Sequence, residues 1–396
     1  MKSQDVYFVD GVRTPFGKAG EKGVYWNTRA DDLIVKATIG LLERHPDLDK
    51  SAIDDVAIAA TTQQGDQGLT IGRTTAILSG LPQSVPGYAI DRMCAGAMTA
   101  VTTTASAIGI GAYDLAIAGG VEHMGRHPMG FNADPNPRFL AEKLVSPDAL
   151  NMGCTAEKIH DRFPHLTKER ADAYAVGSQH KAARAYESGK IQRDLIPVSA
   201  ASTEGWKLVT KDELLRPDSS LEGMKDLKTP FRPHGKVTAG NASPLTDGAT
   251  VSLLAGEAAL KKHGLKPKMR LVSFAFAGVE PEIMGIGPIP ATEKALEKAG
   301  LTISDIGLFE INEAFAVQVL SFLDHFGIAD DDPRVNPWGG AIALGHPLAS
   351  SGVRLMNQLA RHFEEQPQVR YGITTMCIGL GMGGTVIWEN AQYRGK

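Results

Sequence analysis

Apolar and polar positions follow two rhythms along this chain, and the order of the rhythms repeats. Near the start, "DVYFVDGV" reads as a strand, rich in the β-branched and aromatic residues that suit a pleated backbone. "ADDLIVKATIGLLERH" then sets Leu33, Ile34, Ala37, Leu41 and Leu42 at helical spacing, so one face of that helix is apolar. "AIDDVAIAATT" predicts a second strand, a helix of small residues starts at Cys94, and "YDLAIAGGVEHM" returns to strand. The last third runs the same way. "RLVSFAFAGVE" predicts a strand and "ATEKALEKAG" a helix, and "ISDIGLFEINEAF" shares its Ile-Asp-then-apolar pattern with "SAIDDVAIAATT". "GGAIALGHPLASSGVRLMNQLARHF" leads through Gly and Ala into another helix, and "YGITTMCIGLGMGGTVIWE" supplies the closing strands. The repetition predicts an internal duplication: two α/β units of one topology, with mainly parallel, helix-covered sheets.

Between the two units, from about residue 121 to 248, the texture changes. Nine of the 22 prolines lie between Pro128 and Pro233, and a single long helix is predicted there, at about 168–188, with Thr167 as its N-cap. Such an insertion is either a binding region or lid, or a solvated decoration.

Composition narrows the class. The chain has 396 residues, enough for two or three domains, with 43% hydrophobic and 22% charged residues, as in ordinary globular proteins. A net charge of −4 argues against a general nucleic-acid binder. Three cysteines, none in a CxxC pair, give neither a disulfide framework nor a zinc site, and point to a reducing compartment. The N-terminus has neither an apolar signal core nor an Arg-rich presequence, so a cytoplasmic location is expected. The uncharged run from Met93 to Tyr113 has the length of a membrane span, but Ala, Gly, Thr and Ser dominate it; a helix buried in protein fits better.

Four segments carry residues capable of chemistry. Cys94 stands where a helix begins, which makes it either a small buried hydrophobe or a thiol acidified by the helix dipole. "INEAFA" puts Asn312 and Glu313 at a strand end, as a turn or as a pair that orients a water or carbonyl. His346 lies in "GGAIALGHPLASSG", a Gly- and Pro-marked turn before a helix. Cys377 precedes four glycines in seven residues, a tight turn or a backbone able to aim N–H groups at a ligand.

Together, "DRMCAGAM", "GNASPLTDGA", "NEAFA", "GGAIALGHPLASSG" and "CIGLGMGG" occur in the order and spacing of the thiolases. The resemblance runs from "VRTPFGK" to the last glycine-rich strand. "GGVEHMGRHPM" and "TTMCIGLGMGG" most resemble the 3-ketoacyl-CoA thiolases that form the β-subunit of bacterial fatty-acid oxidation complexes. The resemblance implies an α/β thiolase fold: duplicated βαβαβαββ halves in a five-layer α/β/α/β/α architecture with an inserted loop domain. The boundaries expected are 1–120 for the first half, completed by about 249–268, then 121–248 for the insertion and 269–396 for the second half. It further implies CoA-dependent cleavage of 3-ketoacyl-CoA with Cys94 as nucleophile, His346 as its base and Cys377 as acid/base. Asn312 would hold a water, and the N–H of Gly379 would line an oxyanion site with that of Cys94. Ser243, Arg216, Met152 and Phe315 would meet CoA or the acyl chain. No metal and no resident cofactor are implied, CoA being a substrate. A homodimer or tetramer is expected, with a hydratase/dehydrogenase α-subunit as a candidate partner. The alternatives are a biosynthetic acetoacetyl-CoA thiolase and a noncatalytic acyl-CoA carrier of the same fold; a ketoacyl synthase fits less well, since its site is Cys-His-His.

Three positions depart from the family pattern. Gly96 replaces the serine usual two residues after the nucleophile, Ala349 stands where glycine is frequent, and Asn151 precedes Met152 where some short-chain thiolases have histidine. Cys154 has no family role and is expected to be a buried structural thiol.

Overall fold

Each rhythm folds into the same strand order, once in each half. The computed structural model describes residues 4–394. The first half consists of β1 (Val6–Arg13), α1 (Ala30–Glu43), β2 (Asp55–Ala59), α2 (Ile71–Leu78), β3 (Tyr88–Ile90), α3 (Gly96–Gly109), β4 (Leu115–His123) and β5 (Thr246–Gly256). The strands lie in the order β1-β5-β4-β2-β3. β2 is parallel to β3 and β4, while β5 is antiparallel to β1 and β4, so the sheet is mixed and not mainly parallel as expected. Between β4 and β5 the chain makes α4 (Met152–Arg162), α5 (Lys168–Glu187) and a hairpin of Val198–Ser202 with Gly205–Val209.

The second half repeats the plan with β6 (Met269–Gly278), α6 (Pro288–Ala299), β7 (Ile306–Ile311), α7 (Ala316–Phe326), α8 (Ser351–Glu365), β8 (Tyr371–Ile378) and β9 (Met382–Asn390). Its order is β6-β9-β8-β7, and a parallel bridge from Phe309 to Val335 stands where β3 stands in the first half. The registers match as well. Gly120 faces Ala59 on one side and Thr250 on the other, as Thr375 faces Ile311 and Thr385. The two sheets join edge to edge at Tyr7–Arg270 and Phe8–Met269.

Five layers result. α1 and α2 cover the outer face of the first sheet, and α6 and α7 pack on the outer side of the second. α3 and α8 pack on each other between the sheets. That central layer explains the small residues of α3: its first two turns are buried all round and must let their neighbours come close, which Gly96, Ala97 and Ala100 do. β4 is buried along its whole length, so its sequence reads as a continuous apolar run with no alternation.

α5 spans Lys168–Glu187, and the Thr167 hydroxyl accepts the Arg170 N–H as its cap. Three of the labelled helices escape the sequence pattern, as do β3, β5 and the hairpin. α2 has only eight residues, α7 is apolar nearly all round and so shows no period, and α4 has little apolar content to mark it. The small-residue helix also begins later than expected: Met93–Ala95 form a 3₁₀ turn and α3 starts at Gly96.

The insertion is pinned to β1 by one buried ion pair. Arg13 donates to both Asp212 oxygens, at 2.6 and 2.7 Å, and Phe16 N–H and Tyr186 O–H donate to the same carboxylate. Both side chains are buried, so losing either leaves a charge uncompensated, at about 3–5 kcal/mol. Among the described residues, no helix is long and apolar enough to cross a membrane.

Candidate active site

Four turns carry the candidate residues, and the duplicated fold aims them at one place. Asn312 directly follows β7, and Cys377 lies near the end of β8. His346 sits between a short helix, Ala341–Leu344, and a 3₁₀ turn, Leu348–Ser350, that leads into α8. The Met93–Ala95 turn packs against both that turn and β8. Cys94, Cys377, His346 and Asn312 are all buried.

The backbone N–H groups of Gly379 and of Cys94 itself lie close enough to the Cys94 sulfur to pull its thiol pKa down, without making a hydrogen bond to it. Two backbone donors thus converge where charge would develop on an oxygen bound to the carbon attacked by Cys94. A Cβ at Gly379 would lie 2.6 Å from Met93 Sδ, the flexible end of a side chain that would have to shift to admit it. Both turns hold a non-glycine residue in the left-handed region, Met93 at φ 45° and Leu380 at φ 60°. Such backbone persists where surrounding structure enforces it.

Electrostatics corrects one expectation. The Cys94 thiol is not acidified in the free site. Burial pushes its thiol up to about 11, against the pull of the two N–H groups. Burial also raises Cys377 well above the ordinary thiol range, and neighbouring Cys94 adds to this. The same burial, with the Arg354 charge, lowers His346 to about 3. The resting site therefore holds two neutral thiols and a neutral imidazole.

Around His346 the hydrogen bonds are closely set. Its backbone N–H donates to Thr246 Oγ1 at 3.0 Å, and Nδ1 lies 2.6 Å from Ser351 Oγ. Asn312 Nδ2 is 3.2 Å from Nε2 and 3.5 Å from Nδ1. Glu313, the neighbour of Asn312, accepts from Tyr174, Ser178, Asn336 and the Ile342 N–H, which ties the "NEAFA" turn to α5 of the insertion.

The residues expected near CoA are more scattered. Ser243 N–H donates to the Ala314 carbonyl, and Ala242 bridges Phe315, so "NASPL" docks on "NEAFA". Met152 starts α4, with its sulfur near the position of a Gly379 Cβ. Arg216 is exposed, held by its N–H to Gln179 and by a long contact to the Ala239 carbonyl, and it touches none of the four central residues. Asn151 is the N-cap of α4, accepting from Gly153 and Cys154. Cys154 is half-buried, near the Phe231 carbonyl, and not the fully buried thiol expected. Among the described residues, no cluster of three His, Cys, Asp or Glu is arranged to hold a metal ion.

Two of the departures turn out to be neighbours. A Cβ at Gly96 would lie 2.7 Å from Ala59 Cβ and 3.0 Å from Ala349 Cβ. The methyl of Ala349 thus occupies room that a side chain at 96 would need. Gly96→Ser should destabilise the fold by about 1–3 kcal/mol through overpacking. Ala349→Gly in the same chain should recover part of the loss, and Ala59→Gly the rest. Urea unfolding of the single, double and triple variants measures the coupling; strictly additive effects would contradict the contact.

Sequence reading missed Ser351, Thr246, Glu310 and Arg354. Ser351 and Thr246 lie inside quoted motifs; Glu310 and Arg354 become visible only when strands and helices are placed side by side.

Comparison with known proteins identifies the family. The thiolase N-terminal domain family model matches residues 6–258, and the thiolase C-terminal domain model matches residues 265–390. A 3-ketoacyl-CoA thiolase of Pseudoalteromonas translucida (strain TAC 125) is 41% identical over 97% of this chain and 98% of its own. The 3-oxoadipyl-CoA/3-oxo-5,6-dehydrosuberyl-CoA thiolase of Escherichia coli (strain K12) is 42% identical over 98% and 99%. The crystal structure of human mitochondrial 3-ketoacyl-CoA thiolase superposes with a TM-score of 0.88 at 31% identity, covering 98% of this chain and 99% of that one. With both domains matched along nearly its whole length, the chain belongs to the thiolase family of acyltransferases.

Proposed function

We propose that this enzyme cleaves 3-ketoacyl-CoA with CoA, giving acetyl-CoA and a shortened acyl-CoA. The observation that carries the reading is the pair of thiols in one buried site, with two backbone N–H groups near one of them and the His346–Asn312 pair beside it. A single thiol would serve acyl transfer alone; carbon–carbon cleavage also needs an acid for the carbanion that leaves.

In the first half-reaction, Cys94 sulfur attacks the β-keto carbon while its proton passes to His346 Nε2. The N–H groups of Cys94 and Gly379 hold the oxygen as it gains charge. The Cα–Cβ bond then breaks, its electrons forming the enolate of acetyl-CoA, and the acyl group stays on Cys94 as a thioester. Cys377 gives its proton to the enolate; the raised thiol pKa keeps that proton in place until it is needed. The thioester oxygen of the enolate faces protonated His346 and a water on Asn312. In the second half-reaction, the Cys377 thiolate takes the proton of incoming CoA, whose sulfur attacks the thioester. Cys94 leaves and regains its proton from His346. Met152 would line the acyl end, Ser243 and Phe315 the pantetheine, and Arg216 the adenine.

Fatty 3-ketoacyl chains are the first reading of the substrate. A second is favoured by an equally similar relative, whose printed name specifies 3-oxoadipyl-CoA, a chain ending in a carboxylate. Initial rates of thiolysis on 3-ketoacyl-CoAs of graded length, beside 3-oxoadipyl-CoA, decide between them. A maximum on unsubstituted medium or long chains supports fatty-acid oxidation; preference for the carboxylated substrate supports the second reading; activity on acetoacetyl-CoA alone supports a biosynthetic role. A cytoplasmic homo-oligomer is part of the proposal. β3 ends the sheet as a half-buried edge strand, and Ile77 and Leu78 are exposed on α2, which packs against it. Exposed Met129, Phe131, Leu140 and Leu144 in the insertion are consistent with a docked hydratase/dehydrogenase subunit.

A further inference from the structure

A surface cavity of about 260 Å³ opens where the insertion meets the second half, and none of the candidate active-site residues lines it. Its walls are the last turns of α5, the Pro337–Trp338 segment and the end of α8. Lys181, Arg184, Lys190, Trp338, His362 and Glu365 face it, and the thiolysis described above uses none of them.

Donors crowd this cavity and acceptors are few. The Arg184 guanidinium is exposed and meets no acceptor among the described residues. Lys181 donates to the Val335 carbonyl at 2.9 Å and pairs with no carboxylate among the described residues. Burial lowers its ammonium below the ordinary lysine value, which suits a cation short of counter-charge. Lys190 donates to Glu365 at 2.8 Å and lies 5.5 Å from the centre of the Trp338 ring. Glu365 is the single carboxylate in the lining, and Arg193 shares it at 3.5 Å.

Helix ends explain part of this. α5 and α8 both finish here, and the free carbonyls of a helix C-terminus attract cations. They do not explain Trp338. Its side chain is 4% exposed, and its indole N–H, which can only donate, has no acceptor among the described residues. Buried polar groups are nearly always paired, so the acceptor has to come from what fills the cavity. A water would satisfy the indole but would leave Lys181 and Arg184 unbalanced. An occupant that serves all three brings several acceptor atoms and about two negative charges. A phosphoryl group has both. Lys181 and Arg184, one turn apart on α5, would grip it from one wall and the indole N–H from the other. Ala185 and Pro337 beside them leave apolar room for an organic group on the phosphate.

We propose that this cavity is an anion site, separate from the catalytic centre, that binds a phosphoryl dianion, free or as a monoester, between α5 and Trp338. The occupant clamps the insertion to the second half and stabilises the folded enzyme by mass action.

The test uses the full enzyme with CoA at saturation, so that the groups that hold the CoA phosphates are already engaged. Inorganic phosphate is titrated at constant ionic strength while tryptophan emission and the melting temperature are followed. Both should change saturably, with one midpoint. Trp338→Phe should remove the emission change, which assigns the signal. Arg184→Gln, a change at an exposed position, should weaken binding about tenfold or more, the scale of one lost charge-assisted hydrogen bond. Lys22→Gln, which removes an exposed cation outside the cavity, should leave binding unchanged. No saturable response to phosphate, or equal binding by Arg184→Gln and the parent, overturns the proposal. Adenosine monophosphate separates the two sources. Tighter binding than inorganic phosphate identifies a monoester as the occupant, and equal or weaker binding identifies the free ion. Adenosine should give no response; a response equal to that of the monophosphate would show that the phosphoryl group is not what is recognised and would overturn the proposal.

Discussion

Cys94→Ala should lose thiolysis by about 10⁴–10⁶-fold, the cost of deleting a nucleophile whose partners cannot replace it. The parent enzyme, incubated with an acyl-CoA and digested, should carry the acyl group on the Cys94 peptide, and the variant should carry none. Acyl groups on Cys154 or Cys377 would overturn the assignment. The electrostatics adds a pH dependence. With the thiol near 11 and His346 near 3, the free site at neutral pH contains a neutral pair and no thiolate–imidazolium pair. Only about one Cys94 in 10⁴ is then a thiolate at pH 7, since each pH unit below the pKa costs a factor of ten. Alkylation of Cys94 by a neutral reagent should therefore keep rising with pH toward about 11. A plateau already reached below pH 8 would reveal an ion pair and refute this picture. The expected profile means that the proton moves to His346 as the carbon–sulfur bond forms, not before.

Cys377→Ala should separate the two halves of the reaction. Acylation of Cys94 by acyl-CoA should persist within about tenfold of the parent rate: the proton that Cys377 gives the departing CoA sulfur is lost, but a thiolate leaves well without it, and Cys94, His346 and the backbone donors are untouched. Exchange of the α-protons of acetyl-CoA with deuterium in the solvent should drop about 10²–10⁴-fold, the usual worth of a general acid/base. Unchanged exchange would sink the role. Cys377 is fully buried, so the missing sulfur leaves a small cavity, at about 1 kcal/mol. That loss is too small to account for the rate and is measurable separately by unfolding.

The duplication was legible because strands of Val, Ile and Ala alternate with helices of clear period in both thirds of the chain. The five-layer fold followed from the resemblance carried by the motifs. What stayed hidden has a physical reason in each case. α7 is too evenly apolar to show a period, and α2 is too short. Cys94 and His346 could be named from their motifs, but their ionisation could not, because burial dominates it and burial is a property of the assembled layers. Arg354 is eight residues past His346 in sequence and reaches Asn312 only when α8 lies against β7. The Gly96 and Ala349 departures looked unrelated along the chain and prove to be one adjustment of a shared contact.

The matched registers of the two halves have a consequence for how the protein uses its symmetry. Counting along equivalent strands from Gly120 and Thr375, Glu122 in the first half stands where Cys377 stands in the second. The 3₁₀ turns before α3 and α8 pair Cys94 with Ala349 in the same way. A twin of the active site therefore exists on the other side of the pseudo-twofold axis, with an alanine for the nucleophile and a glutamate for the acid. That glutamate is buried, and it is spent on the Ala349 N–H, on Thr61 and on Gln67. One twin is bricked up with a carboxylate and becomes masonry for the other, because the Ala349 N–H it grips belongs to the turn that follows His346. The molecule gains a rigid wall behind one reactive centre by giving up the second.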